Sequence, residues 1–327
     1  MSFIIRRLVY YVTAAWVAIT ANFVIPRAMP GDAVQVMIAH NRNLTPAAFA
    51  ALRSQFGVDE SGSILVQYGS YLKAIAHGDL GVSLSFYPTT VLSLLQSAIP
   101  YTLLLVGIST VLSFGLGTGL GILAGWRRHG ALDRLLPVFA FLQAIPYFFL
   151  GIVVIEILAL RLQWFPSGGA FDGTLTPGLD LEFIQSALHH AVLPAATIVL
   201  TSMAGWMLQM RNTMITTIGE DHVLVATAKG LEPHTVMLRY AARNAILPNL
   251  SGFALAIGFV LSGSLVMEVV FSYPGVGLLL YNAVTSDDYP LVQGIFLFVC
   301  IAVLVASFLA DIAYAAADPR ARTSGRQ

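Results

Sequence analysis

The sequence predicts an all-α polytopic membrane protein with six transmembrane helices and a long outer segment after the first. Three observations carry that prediction. Hydrophobic residues make up 57% of the 327 positions and charged residues only 10%; the mean hydropathy is +0.78, outside the range of water-soluble domains. Six apolar stretches reach the roughly 20 residues that a helix needs to cross a bilayer core: 9–25, 99–126, 135–160, 191–208, 250–271 and 290–315. Placing the N-terminus inside puts 12 of the 17 basic residues on that side, the asymmetry of the positive-inside rule. Both termini are then cytoplasmic. The formal net charge is zero, which gives no global attraction to nucleic acid.

The elements follow in order. Arg6 and Arg7 precede the first stretch, which imitates a signal peptide; its apolar part is too long and no small-residue cleavage site follows, so 1–25 reads as a short cytoplasmic N-terminus and a retained span. Residues 26–98 form the outer segment. It is too apolar for a disordered linker, with short helices over 47–56 and 67–76 and turns at Pro30-Gly31-Asp32 and Gly78-Asp79-Leu80-Gly81. Residues 99–317 hold the other five spans. In the second, Gly117, Gly121 and Gly125 form a small-xxx-small series that lets another helix backbone come close; a phosphate-binding loop would need a preceding strand and a following lysine. Trp126-Arg127-Arg128 and Asp133-Arg134 make a short cytoplasmic turn of snorkelling anchors or a small partner surface. The third span contains Pro146, which breaks a helix at membrane depth, where freed carbonyls must face protein or a water-filled path. Pro146 is therefore a candidate path residue. So is Glu156, nearer the outer end, read either as a path-lining group or as an interfacial or helix–helix hydrogen bond. In the outer loop 161–190, His189-His190 reads as an interfacial pair, since no acid or cysteine nearby completes a metal set.

Beyond the fourth span lies a polar island, 218–249, with apolar runs on both sides. Its apolar residues recur at helical intervals among Glu220, Asp221, Lys229, Glu232, Arg239 and Arg243, the pattern of an amphipathic helical pair. Gly230 is placed to end the first helix in a left-handed cap and Pro233 to open the second. Arg239 and Arg243 then share one face, while Val236, Met237, Tyr240 and Ile246 line another until Pro248 interrupts the pattern. The alternative for such an island is a solvated loop. Near the outer end of the fifth span lies Glu268, which reads as a gate-lining polar group or as an acid that holds the following turn. Asp287-Asp288-Tyr289-Pro290 opens the sixth span, Asp311 is interfacial, and Asp318-Pro319-Arg320 leads into a cytoplasmic tail, 318–327. Cys300, the one cysteine, lies in an apolar run as a packing residue without a disulfide partner.

Ala226-Thr227-Ala228-Lys229-Gly230-Leu231 and Leu238-Arg239-Tyr240-Ala241-Ala242-Arg243-Asn244-Ala245-Ile246-Leu247-Pro248 resemble the cytoplasmic EAA coupling loop of permease subunits in ATP-binding-cassette importers. More narrowly they resemble the first, B-type, permease of dipeptide and oligopeptide importers. The resemblance continues in Arg27-Ala28-Met29-Pro30-Gly31-Asp32, Gly78-Asp79-Leu80-Gly81-Val82-Ser83, Trp164-Phe165-Pro166-Ser167-Gly168-Gly169 and Glu268-Val269-Val270-Phe271-Ser272-Tyr273-Pro274-Gly275-Val276-Gly277, and so covers essentially the whole chain. Two departures stand out: Leu224-Val225-Ala226 replaces the namesake glutamate and alanines, and Tyr240 replaces a frequent histidine. The resemblance implies a type I importer architecture in a prokaryotic cytoplasmic membrane, in contact with lipid. It implies a heterodimer with a second related permease, two cytoplasmic ATP-binding subunits and an extracytoplasmic substrate-binding protein. Ala228, Lys229, Gly230, Leu231, Glu232, Arg239 and Arg243 are then the expected ATPase-coupling residues, and Glu268 a group at the outer gate or at the companion permease. The implied substrate is a di- or oligopeptide, with short oligosaccharides, nickel complexes or glutathione as alternatives.

No catalytic set assembles in the sequence: it contains no HExxH, GxSxG or phosphate loop. The expectation is a non-enzyme with no cofactor of its own, ATP and Mg being held by partner subunits. Spans without an energy-capturing site fit a passive channel or a subunit that borrows energy, and the island on the ATP side favours borrowing. A self-sufficient secondary carrier would show inverted repeats and charged mid-span residues.

Overall fold

The computed structural model describes residues 3–28, 63–128, 130–260 and 264–317, and these are helical apart from turns and one isolated bridge between Val82 and Thr90. The helix expected over 47–56, the turn at Pro30-Gly31-Asp32 and the tail 318–327 lie outside the described residues. Among the described residues four helices are long and apolar enough to cross a membrane: Ile5–Ile25, Val91–Trp126, Leu181–Ile218 and Tyr289–Leu309. The pair Leu136–Ala144 and Tyr147–Arg161, bent by 97° at its break, meets the same criterion when taken together. Within the expected fifth span, 250–271, the described residues form the helices Leu247–Phe259 and Leu265–Val270, and 261–263 lie outside the described residues. The second span starts eight residues earlier than expected, at Val91, so the end of the anticipated outer segment is already helical. Pro100 removes one N–H from that helix, which passes through a π-turn at Leu103–Gly107 before resuming.

The chain forms two compact units. The first comprises Met1–Thr102, Leu261–Val269 and Pro274–Gln327. In it the helices Phe3–Ala28 and Tyr289–Ala317 run antiparallel. Tyr11 donates to Asp311 at 2.8 Å, Arg7 pairs with the same carboxylate at 3.1 Å, and at the other end Asn22 donates to the Gln293 carbonyl at 3.3 Å. The short helix Ile64–Ala76, expected over 67–76, packs beside them through Tyr68 and Tyr71 against the buried Phe23 ring, with centroids 5.1 and 5.3 Å apart. Its exit is the anticipated turn: Gly78 and Gly81 have φ of +75° and +85°, and Asp79 accepts from the Gly81 N–H at 2.9 Å. Val91, Leu95 and Ala98 make the apolar core with Val276, Ala283, Leu291 and Ile295.

The second unit comprises Leu103–Val260 and Val270–Tyr273. Its centre is the 38-residue helix Leu181–Ile218, about 57 Å long at 1.5 Å per residue, far more than the expected 191–208. The glycine series runs down its side. A methyl group added at Gly117 would stand 2.5 Å from the Met203 carbonyl, at Gly121 2.6 Å from that of Met207, and at Gly125 2.5 Å from the Met214 Cβ. Contacts advance together along both helices, so Val91–Trp126 and Leu181–Ile218 are parallel over this stretch. At its end Arg211 reaches Asp133 at 2.7 Å, with both side chains largely buried, and Arg128 donates to the Ile215 carbonyl at 3.3 Å. The turn read as snorkelling anchors is thus fastened to the long helix.

Candidate coupling site and buried polar centres

The island folds as a capped helical pair. Its first helix is Asp221–Ala228. Gly230 follows with φ +73°; its N–H bonds to the Thr227 carbonyl at 2.9 Å and the Leu231 N–H reaches that of Ala226 at 3.4 Å. These two bonds are a Schellman cap, which requires the left-handed residue that glycine supplies. Glu232 is extended and Pro233 opens the next helix, where its missing N–H is of no consequence. Pro248 does not end the pattern: it sits in the first turn of Leu247–Phe259, which follows Arg243–Ala245 with only Ile246 between them.

The second helix differs from the expectation in its phase. Residues Val236–Ala242 form a π-helix, with more residues per turn than an α-helix. Its buried positions therefore recur five apart, Val236 with Ala241 and Met237 with Ala242, and Tyr240, placed on the inner face by α-helical spacing, is exposed. The small Ala241 and Ala242 let the π-helix pack closely on Val223 and Ala226. This cluster continues onto Met210 and Met214 of the long helix and onto Trp126. Asn249 closes the island: fully buried, it donates to Thr118 at 3.3 Å and to the Trp206 carbonyl at 3.1 Å. The island is thus built into the ends of two long helices.

Ala228, Lys229, Gly230, Leu231 and Glu232 form its exposed tip, and Arg239 and Arg243 are exposed on the π-helix and the turn after it. The structure places all seven on the accessible side. Leu224, Val225, Leu231, Leu238 and Tyr240 are exposed there too, an apolar surface of the kind that marks an interaction site.

The remaining candidates are dispersed. Pro146 stands at the 97° break: Ile145 is held extended by the proline that follows, and Pro146 caps the helix Tyr147–Val154. Glu156 lies on the π-helix Ile155–Arg161 and pairs with Arg161 at 2.9 Å, both side chains well exposed; the longer π-turn sets residues five apart over one another. Its partner is therefore local: the hydrogen bond and ion pair seen at this carboxylate among the described residues are both to Arg161. Glu268, in the first unit, is fully buried. Its carboxyl group accepts from the Thr102 hydroxyl at 2.9 Å, the Gly277 N–H at 2.6 Å and the Leu278 N–H at 3.3 Å, fastening the start of the helix Val276–Thr285. His189 and His190 each bond a backbone carbonyl, of Trp164 at 3.0 Å and Ser186 at 2.8 Å.

The pairing of four polar centres escaped sequence reasoning: Arg211 with Asp133, Asn249 with Thr118, Asp288 with Ser83, and His222 with Asn244. Asp288 is buried, accepting from Ser83, from the Ser85 N–H at 3.0 Å and from the Leu291 N–H at 3.2 Å. An acid three residues before the third residue of a long apolar helix is an N-cap signal, so Asp288 was findable. Arg211 with Asp133 and Asn249 with Thr118 are separated by 78 and 131 positions, and nothing local marks them.

The sequence matches, over residues 117–323, the profile of a family described as binding-protein-dependent transport system inner membrane component. It is 36% identical over 303 residues to a protein of Brucella suis that carries a provisional peptide-permease name, covering 92% of this chain and 93% of that one. It is 33% identical over 324 residues to the oligopeptide transport system permease protein AppB of Bacillus subtilis, with 98% of each covered. To the di/tripeptide transport system permease protein DppB of Pseudomonas aeruginosa it is 31% identical over 337 residues, with 98% and 99% covered.

Proposed function

This chain belongs to the family of binding-protein-dependent transport system inner membrane components, a multi-pass permease subunit of an ATP-binding-cassette importer, and from that premise we propose that the island 218–249 couples it to a cytoplasmic ATPase. The observation that carries the reading is that the island's exposed tip is a capped turn seated on a shared core. A capped turn presenting Ala228 to Glu232 stands on a core shared with Met210 and Met214 of the long helix. A push on the tip therefore moves the helix ends, whereas a solvated loop would dissipate it.

In this reading the chain lines half of a translocation path and a second related permease lines the other half. Two ATP-binding subunits hold ATP and Mg, and this chain holds no cofactor. An external binding protein delivers the cargo. ATP binding draws the coupling elements together and opens the path outward; hydrolysis resets it. Arg239 and Arg243 meet acidic groups of the ATPase and Leu231 fills an apolar recess. Both termini face the cytoplasm. The cargo is a di- or oligopeptide, a reading supported by the names of the Bacillus and Pseudomonas relatives.

The test is ATPase activity of the complex assembled with its partners in lipid, comparing wild type with Gly230→Asp. The substitution places a side chain and a charge at φ +73° on the exposed tip. Binding protein loaded with peptide should stimulate wild type and fail to stimulate the variant, with insertion unchanged. Normal stimulation of the variant would refute the coupling role; stimulation by cello-oligosaccharide, a nickel complex or glutathione, but not by peptide, would refute the substrate class.

A further inference from the structure

Between the two helices of the island stands an imidazole with partners on both nitrogens. His222 Nδ1 lies 3.3 Å from the Glu220 carboxylate. Its Nε2 lies 3.2 Å from the Tyr240 carbonyl of the π-helix and 2.9 Å from Nδ2 of Asn244. The two partners of Nε2 require opposite protonation. The Asn244 amide N–H donates to a bare nitrogen; the Tyr240 carbonyl accepts only from an N–H. A neutral ring therefore keeps its proton on Nδ1 toward Glu220 and ties the first helix to the second through the Asn244 side chain. A ring that takes a second proton from solvent donates from Nε2 to the π-helix backbone instead, with the Asn244 amide turned. Hydrogen bonds from a charged donor are the stronger kind.

We propose that His222 and Asn244 form a proton-responsive brace that fixes the spacing of the two island helices and so positions the exposed tip, with the imidazolium form bracing more tightly. The proposal rests on the coupling reading above. The charged and titratable groups of the packed elements are Glu220, Asp221 and Lys229 along the ring's own helix, Glu232, His234, Arg239, Tyr240 and Arg243 on the stretch across from it, and Arg211 on the long helix, which is engaged by Asp133. Of these, Glu220 is the one within ion-pairing distance of the ring among the described residues. These are positioning residues: neither is part of the tip.

The experiment uses the complete complex in nanodiscs and reads the ratio of stimulated to basal ATPase activity, which cancels the pH response of the ATPase itself. It runs from about pH 5.5 to 8, the interval in which imidazole changes charge, on wild type, His222→Ala, His222→Gln, Asn244→Ala and Gly230→Asp. His222→Ala should lower the ratio at every pH, by about threefold to tenfold, the worth of one or two hydrogen bonds. His222→Gln, an uncharged side chain of similar reach, should approach wild type at the alkaline end and fall behind it by about threefold at the acid end. Asn244→Ala removes the neutral link alone and should steepen the pH dependence. A wild-type ratio for His222→Ala while Gly230→Asp is uncoupled overturns the brace and leaves the coupling role standing. A constant quotient of wild type to His222→Gln across the pH range overturns its proton response. If Gly230→Asp itself couples normally, it is the island's role that has failed.

Discussion

Gly230 and Glu268 are decided by different physics. A methyl group added at Gly230 would meet nothing within 4 Å, yet φ is +73°, so only the backbone conformation demands glycine there. A side chain costs about 1 to 2 kcal/mol in the left-handed region, and asparagine tolerates it best. Gly230→Asn, which lacks the charge that Gly230→Asp brings to the docking tip, should therefore retain most of the stimulated ATPase activity and Gly230→Val should lose it; equal loss in both would mean that the tip rejects any side chain for reasons of contact. Glu268 has the opposite logic. Gly275 and Gly277 leave room for its carboxyl group: a methyl group on Gly277 would stand 2.5 Å from the Leu265 Cα and 2.9 Å from the Glu268 carboxylate. Glu268→Ala strands the Thr102 hydroxyl and two N–H groups in the interior, at about 1 to 3 kcal/mol for each group left unsatisfied. Glu268→Gln retains an acceptor. The alanine variant should melt several degrees below the glutamine variant in detergent, and coincident melting curves would remove Glu268 from this anchoring role. The cap at Gly230 and Pro233 was legible because backbone preferences are written locally. The Glu268 anchor was only half legible: Gly277 is nine positions away, Thr102 is 166.

Elements show the same division. The glycine series at 117, 121 and 125 was readable as a packing stripe, and the structure adds which glycines matter. Methyl groups at Gly115 and Gly119 would meet nothing within 4 Å. Gly121→Ala would press on the Met207 carbonyl and the Met210 Cβ, both at 2.6 Å; backbone cannot yield as a flexible side chain can, and such overpacking costs about 1 to 3 kcal/mol. Gly119→Ala should be neutral or slightly stabilising, since it lowers the entropy of the unfolded chain. Thermal unfolding of the two purified variants checks the contrast, and a Gly119→Ala loss equal to that of Gly121→Ala would contradict the assigned face. The π-helices were not readable. Apolar spacing at 236, 237, 241 and 242 fits neither a four-residue nor a three-residue repeat alone, and the choice of five is made by the close approach of Ala241 and Ala242 to Val223 and Ala226, a tertiary demand. Glu156 and Arg161, five apart and bonded, are the one local trace that a π-turn leaves in the sequence.

At the scale of the whole chain, helix direction constrains topology. The helices Val91–Trp126 and Leu181–Ile218 are parallel neighbours in the second unit, as the advance of contacts from Met203 to Met214 shows. Parallel spans need a connection that recrosses the bilayer, so the bent pair Leu136–Ala144 and Tyr147–Arg161 must together make one return passage. In the first unit Phe3–Ala28 and Tyr289–Ala317 are antiparallel, with Arg7 and Tyr11 at Asp311, which puts residues 3 and 317 on the same side. Among the described residues four helices and one bent pair are long and apolar enough to cross a bilayer, and the long helix Leu181–Ile218 is then flanked by segments on opposite sides. Accessibility to a membrane-impermeant thiol reagent tests this in a Cys300→Ala background. Leu179 is 94% exposed in the loop before the long helix, and Lys229 is exposed on the island that follows it. Leu179→Cys should label from the outer face alone, and Lys229→Cys and Arg6→Cys only in inverted vesicles. Labelling of Lys229→Cys from the same face as Leu179→Cys would mean that the long helix does not cross. Labelling of Arg6→Cys from the outer face, with Lys229→Cys inside, would reverse the first helix.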